Sequence, residues 1–230
     1  MPPEPVVIVP GFLLTPARFE EARTALVSLG VADARVVPVT LPDWGASVLA
    51  AGWARILDKI DRTVDRALEA TGAEKVVLVG HSAGGVMARL FLAPEPFRGR
   101  VYDGKRRVRG LITLGSPHQA KRASPMRTRV QKLYPGAAFA PEVEYLAVAG
   151  RAVRGDRRGS RRERSAYRSY RMIGGDGAVW GDGTVPVESA LLEGARHLVL
   201  DGVHHYGFRR GRRWYGSADA VVAWWKGWGT

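Results

Sequence analysis

The sequence has no cysteine in its 230 residues. That rules out disulfides and thiolate-held metal centres, although it says little about compartment. No apolar run reaches the length that spans a bilayer, and the N-terminus lacks a basic region followed by a signal-type apolar segment. The expectation is a cytoplasmic protein. Acidic residues are scarce: 22 Asp and Glu stand against 35 Lys and Arg, a formal net charge of +13. The excess is mostly arginine, gathered in 98–109, 121–132, 151–171 and 209–213. Such a surface attracts anionic lipid headgroups or nucleic acid through long-range fields, although a solvated, arginine-biased exterior accounts for the same text. Zinc-finger spacing, an RRM signature and basic-aromatic repeats are all missing, so no specific nucleic-acid partner is expected. Missing too are the Gly-Lys-Ser/Thr ending of a Walker loop and the Gly-x-Gly-x-x-Gly of a dinucleotide turn.

What is present is a soluble globular composition, 46% hydrophobic and 25% charged, at a length that suits one core. The chain is organised around Val76-Val77-Leu78-Val79-Gly80-His81-Ser82-Ala83-Gly84-Gly85-Val86-Met87. A strand-type run passes through Gly-x-Ser-x-Gly into a helix-forming segment, the context of a nucleophile elbow. Gly80 and Gly84 let strand and helix approach around a strained Ser82, and the helix N-terminus beneath it favours negative charge.

Strands are read at Pro5–Val9, Ala34–Val39, the elbow strand, Val108–Leu114, Tyr145–Ala149 and His197–Leu200. Helices are read at Arg18–Leu29, Trp53–Ala70, after Ser82, and at Ser217–Trp228. This alternation predicts an α/β fold: one domain over 1–230 with a mostly parallel sheet of about six strands and helices on both faces. Residues 119–141 and 151–171 are long, basic and poorly periodic, which makes them candidates for a lid or cap.

An activated serine needs a base within hydrogen-bond reach and a carboxylate to orient that base. His81 reads as structural, because its side chain must point away from the elbow. His197 reads as a packed or surface residue, and His118, at a strand end, as a pocket residue together with Leu13. His204 and His205 lie in the loop past the last strand, and spacing alone does not separate them. Asp176 and Asp182, both in Asp-Gly turns, are the alternatives for the acid. Backbone N–H groups of Phe12 and Ala83 are the candidate oxyanion donors.

Taken together, Pro10-Gly11-Phe12, Gly80-His81-Ser82-Ala83-Gly84-Gly85, Gly115-Ser116-Pro117-His118 and Gly181-Asp182-Gly183-Thr184-Val185-Pro186 resemble the lipase-like branch of the α/β-hydrolase superfamily. Residues 145–155 and Trp214-Tyr215-Gly216-Ser217 resemble, more narrowly, lipase-like hydrolases of cyanobacteria and plastids. The resemblance implies Ser82 as nucleophile, Asp182 as acid and His205 as base. Pro10 departs from it, since many lipases carry His there. The implied activity is serine hydrolysis of carboxyl esters with lipid-like or other hydrophobic acyl groups, needing no metal or organic cofactor. A thioesterase or acyltransferase with the same three residues is the alternative, as is a silent fold that binds anionic membranes.

Overall fold

A strand such as Val6-Val7-Ile8-Val9 has no polar side to offer water, so it is stable only where both faces are covered. All four residues are buried. The computed structural model describes residues 4–47, 49–122, 124–208 and 211–229. Its strands are β1 (Val6–Val9), β2 (Ala34–Val36), β3 (Val76–His81), β4 (Val108–Leu114), β5 (Glu144–Arg151), β6 (Val153–Arg154), β7 (Trp180–Gly181) and β8 (Arg196–Asp201). Six of them form one parallel sheet in the order β2-β1-β3-β4-β5-β8, and β6 and β7 make a separate antiparallel pair. The helices are α1 (Glu20–Ser28), α2 (Leu41–Ala46), α3 (Ala50–Thr71), α4 (Ala83–Phe91), α5 (Pro125–Leu133), α6 (Arg161–Gly174), α7 (Val187–Ala190) and α8 (Ala218–Gly229).

Successive strand residues face opposite sides of the sheet. Val7, Val9, Val76, Leu78, Leu111 and Ala147 join one core cluster with α3, α4 and Val130 of α5. Val6, Ile8, Val77, Val79, Ile112 and Val148 join the other, with Leu26 of α1 and Val221 and Trp224 of α8. The fold is therefore the expected α/β sandwich of helix, parallel sheet and helix. Among the described residues no helix is long and apolar enough to cross a membrane.

The differences from the expected elements have local causes. The second strand stops at Val36: Val37 still donates to Ile8 O at 2.9 Å, but Val39, the next residue in step to face β1, gives its N–H to Val37 O at 2.7 Å instead. Helix α2 was not expected; a capping box starts it, in which the Thr40 side chain accepts from the Asp43 N–H and the Asp43 carboxylate accepts from Thr40 N–H at 2.7 Å. Segments 119–141 and 151–171 are not irregular throughout. The first carries α5, capped by Ser124. The second contributes the β6 edge and most of α6, whose capping box joins Ser160 to Glu163 and whose apolar stripe is Ala166, Tyr170 and Ile173. Arginines dilute that stripe, which is why its period is faint in the sequence. Of the 209–213 basic run, Arg209 and Arg210 lie outside the described residues.

Candidate active site

Ser82 sits between β3 and α4 with φ 52° and ψ −122°. A side-chain-bearing residue held this way is strained by about 1–3 kcal/mol, so its surroundings must enforce it. They do so through close packing. A Cβ on Gly80 would lie 2.4 Å from Gly85 Cα, and one on Gly84 would lie 2.4 Å from Val9 O. Strand and helix thus touch backbone to backbone, and the Ser82 N–H is held by Leu114 O at 2.9 Å.

Two loops at the same end of the sheet bring the partners. His205, four residues past β8, places Nε2 3.0 Å from Ser82 Oγ and Nδ1 2.7 Å from Asp182 Oδ2. The carboxylate requires the proton on Nδ1, which leaves the Nε2 lone pair facing the serine hydroxyl. Asp182 follows β7 directly. Its Oδ1 accepts the N–H groups of Thr184 at 2.9 Å and Val185 at 2.7 Å, and its Oδ2 accepts the Tyr215 hydroxyl at 3.0 Å as well as His205. The His205 N–H returns to Asp182 O at 2.9 Å. All of these donors converge on a carboxylate that is only 2% exposed.

Tyr215 had no assigned role in the sequence reading. Its hydroxyl also accepts the Gly150 N–H at 2.7 Å, and burial followed by the nearby Asp182 charge raises its pKa well above the ordinary value. No local pattern marks it, since it reaches the carboxylate from 33 positions away.

The other candidates fall elsewhere. His81 is fully buried and donates from Nε2 to His205 O at 3.1 Å, so it props the backbone of the histidine beside it. Burial, then His205, hold its pKa well below the usual 6.5. His118 does not line a pocket as expected. It is only 3% exposed, Thr113 Oγ1 lies 3.0 Å from Nε2, and the Arg89 guanidinium lies 3.3 Å from Nδ1. Burial and the charges of Arg89 and Arg127 push its pKa well down. His204 turns away from the serine to meet Arg162, and His197 bonds to Leu192 O at 2.7 Å. Asp176 only closes its own turn, accepting the Ala178 N–H at 2.9 Å.

The turn after β1 lies against Ser82, because a Cβ on Gly11 would come within 2.9 Å of Ser82 Cβ. Among the described residues the N–H groups of Phe12 and Ala83 have no hydrogen-bond partner. Phe12 and Leu13 are 44% and 55% exposed on that turn, and Leu13 has φ 61°. Among the described residues no three His, Cys, Asp or Glu cluster as a metal site would require.

The chain belongs to the alpha/beta hydrolase family, whose sequence model matches residues 6–225. Among solved structures it is similar to MGS-MChE2, an alpha/beta hydrolase from the sediment metagenome of the Mar Chica lagoon in Morocco. The TM-score is 0.52 and the identity 17%, over 99% of this chain and 93% of the other. The lin2722 gene product of Listeria innocua gives 0.53 and 16%, over 97% and 92%. Phospholipase PlaB of Legionella pneumophila gives 0.62 and 12%, over 91% of this chain and 53% of PlaB, so this chain spans about half of that protein. At these identities the likeness is one of fold. No curated protein sequence is matched.

Proposed function

We propose that this protein is a serine hydrolase that cleaves carboxyl esters with hydrophobic acyl groups through an acyl-enzyme on Ser82. The observation that carries this reading is the unbroken line from Ser82 Oγ through both nitrogens of His205 to Asp182, with spacings of 3.0 and 2.7 Å. Ser82 Oγ attacks the ester carbonyl carbon as its proton passes to His205 Nε2. The carbonyl oxygen becomes an oxyanion, to which the free N–H groups of Phe12 and Ala83 donate. Collapse breaks the bond to the alcohol, and the departing oxygen takes the proton from Nε2. Water then enters and gives a proton to His205 Nε2 as its oxygen attacks the acyl carbon, and the bond to Ser82 Oγ breaks as that proton passes from Nε2 to Oγ, releasing the acid. Asp182 holds the Nδ1–H throughout and stabilises the imidazolium. Exposed Phe12 and Leu13 beside the serine suit an apolar acyl chain.

The test is labelling by a fluorophosphonate with peptide mapping, paired with a chain-length series of 4-nitrophenyl esters. Labelling is expected at Ser82, absent in Ser82→Ala, with turnover that the same substitution abolishes. A folded protein that neither takes the label nor turns over any ester of the series overturns the proposal.

A further inference from the structure

A cavity of about 560 Å³ opens beside the site, walled by Arg161, Arg162, His204 and Arg212 and touching Asp182 and His205. Several arginines elsewhere on the chain are matched by acids. Arg100 meets Asp61 at 2.5 Å, Arg107 meets Asp61 at 2.6 Å, and Arg151 and Arg213 each meet an aspartate at 2.5 Å. Among the described residues Arg161 and Arg212 form no ion pair, and Asp182, already holding donors on both oxygens, is the one carboxylate that lines the space. Ser160, Arg161 and Arg162, the N-cap and first residues of the 14-residue α6, line the same cavity. His204 registers the field: burial, then Arg162 and Arg212, push its pKa down to about 4.

We propose that this cavity receives the leaving group of the ester, and that the leaving group carries a phosphate or carboxylate held by Arg161 and Arg212. The inference rests on the acyl-enzyme reading. His205 Nε2 must return its proton to the departing oxygen, so the alcohol lies on the His205 side of Ser82, and His205 also lines the cavity. The Phe12 and Leu13 turn is left for the acyl chain. The acyl bond breaks as before, and the anion only binds.

Three butyrate-type esters test it, each corrected for spontaneous hydrolysis: neutral 4-nitrophenyl butyrate, 3-carboxy-4-nitrophenyl butyrate with the charge on the leaving group, and 4-nitrophenyl hydrogen glutarate with the charge on the acyl side. The leaving-group anion should be preferred over the neutral ester by about tenfold in kcat/KM, as two charge-assisted contacts imply. The acyl-side anion should gain nothing. In the Arg161→Gln/Arg212→Gln double variant the preference should fall to near one. No preference in the wild type, or the same preference in the variant, overturns the proposal. Butyryl and palmitoyl glycerol 3-phosphate separate a soluble ester from a lipid: turnover of either supports the inference, and turnover of neither, while neutral 4-nitrophenyl butyrate is cleaved, overturns it. Calorimetric titration with phenyl phosphate reads the cavity without catalysis. Binding about tenfold weaker in the double variant supports it, and no binding or equal binding overturns it even if Ser82 takes no label.

Discussion

Tyr215 donates its hydroxyl hydrogen to Asp182 Oδ2 at 3.0 Å, on the same oxygen that His205 Nδ1 reaches at 2.7 Å. The phenol therefore shares the carboxylate's charge with the imidazole. Tyr215→Phe removes that donor and leaves the Gly150 N–H without its acceptor, a buried loss worth about 1–3 kcal/mol in unfolding free energy. It also frees Asp182 Oδ2 from one of the two side chains that fix its direction toward His205, so kcat should fall by about tenfold with KM much less changed. Urea unfolding and steady-state kinetics check both, and a variant with wild-type stability and wild-type kcat would refute the positioning role.

His204 and His205 are neighbours in sequence with opposite surroundings. His205 is 1% exposed and bonded to Ser82, whereas His204 faces Arg162. His205→Ala should lower kcat by several orders of magnitude, on the order of 10⁴-fold or more. His204→Ala should leave kcat on neutral esters within about tenfold. The opposite ranking in steady-state kinetics would move the base to His204.

How much of this was legible in the sequence depends on how local each signal is. Val76–His81, the glycines around Ser82 and the apolar start of α4 are contiguous, and the strand–turn–helix they imply is what forms. The sheet was legible for the same reason, through apolar runs alternating with periodic segments. Asp176 and Asp182 are indistinguishable as Asp-Gly turns, and only folding shows that one carboxylate closes its own turn while the other faces His205. His118 does follow a strand end, but Thr113 and Arg89, the latter 29 positions away, claim its two nitrogens. Helix α6 carried a readable start in Ser160 and Glu163, outweighed by the arginines around its narrow apolar stripe. Tyr215 had nothing local to betray it.

Two buried histidines make stability depend on pH. His81 and His118 both have folded pKa values well below the ordinary 6.5, chiefly through burial. The depressed values mean that their share of stability is fully present above 6.5, where both states are neutral. Below that point the unfolded chain binds protons that the folded protein refuses, and stability falls as pH falls. Each histidine adds a slope of up to about 1.4 kcal/mol per pH unit. Unfolding free energies between pH 7.5 and 5.5 should show this decline, and His118→Gln should remove one histidine's share of the slope. An identical slope in that variant would refute the assignment.

Gly84 and Gly45 are both helical glycines, yet alanine should act oppositely at the two. A Cβ on Gly84 would lie 2.4 Å from Val9 O and 2.5 Å from Pro10 O, both backbone atoms of β1 and the turn that carries Phe12. Neither can swing aside as a side chain could, so Gly84→Ala has to push α4 away from β1. Overpacking of this kind destabilises by about 1–3 kcal/mol. The same displacement separates the Phe12 N–H from the Ala83 N–H, so kcat should fall further than the stability loss alone accounts for, with KM much less changed. A Cβ on Gly45, within α2, meets nothing within 4 Å. Gly45→Ala should therefore gain up to about 1 kcal/mol from helix propensity and leave kcat alone. Thermal melts and steady-state kinetics on the two variants decide the matter: if Gly84→Ala melts and turns over like the wild type, the close contact of β1 with α4 is not what holds Ser82 in its strained conformation.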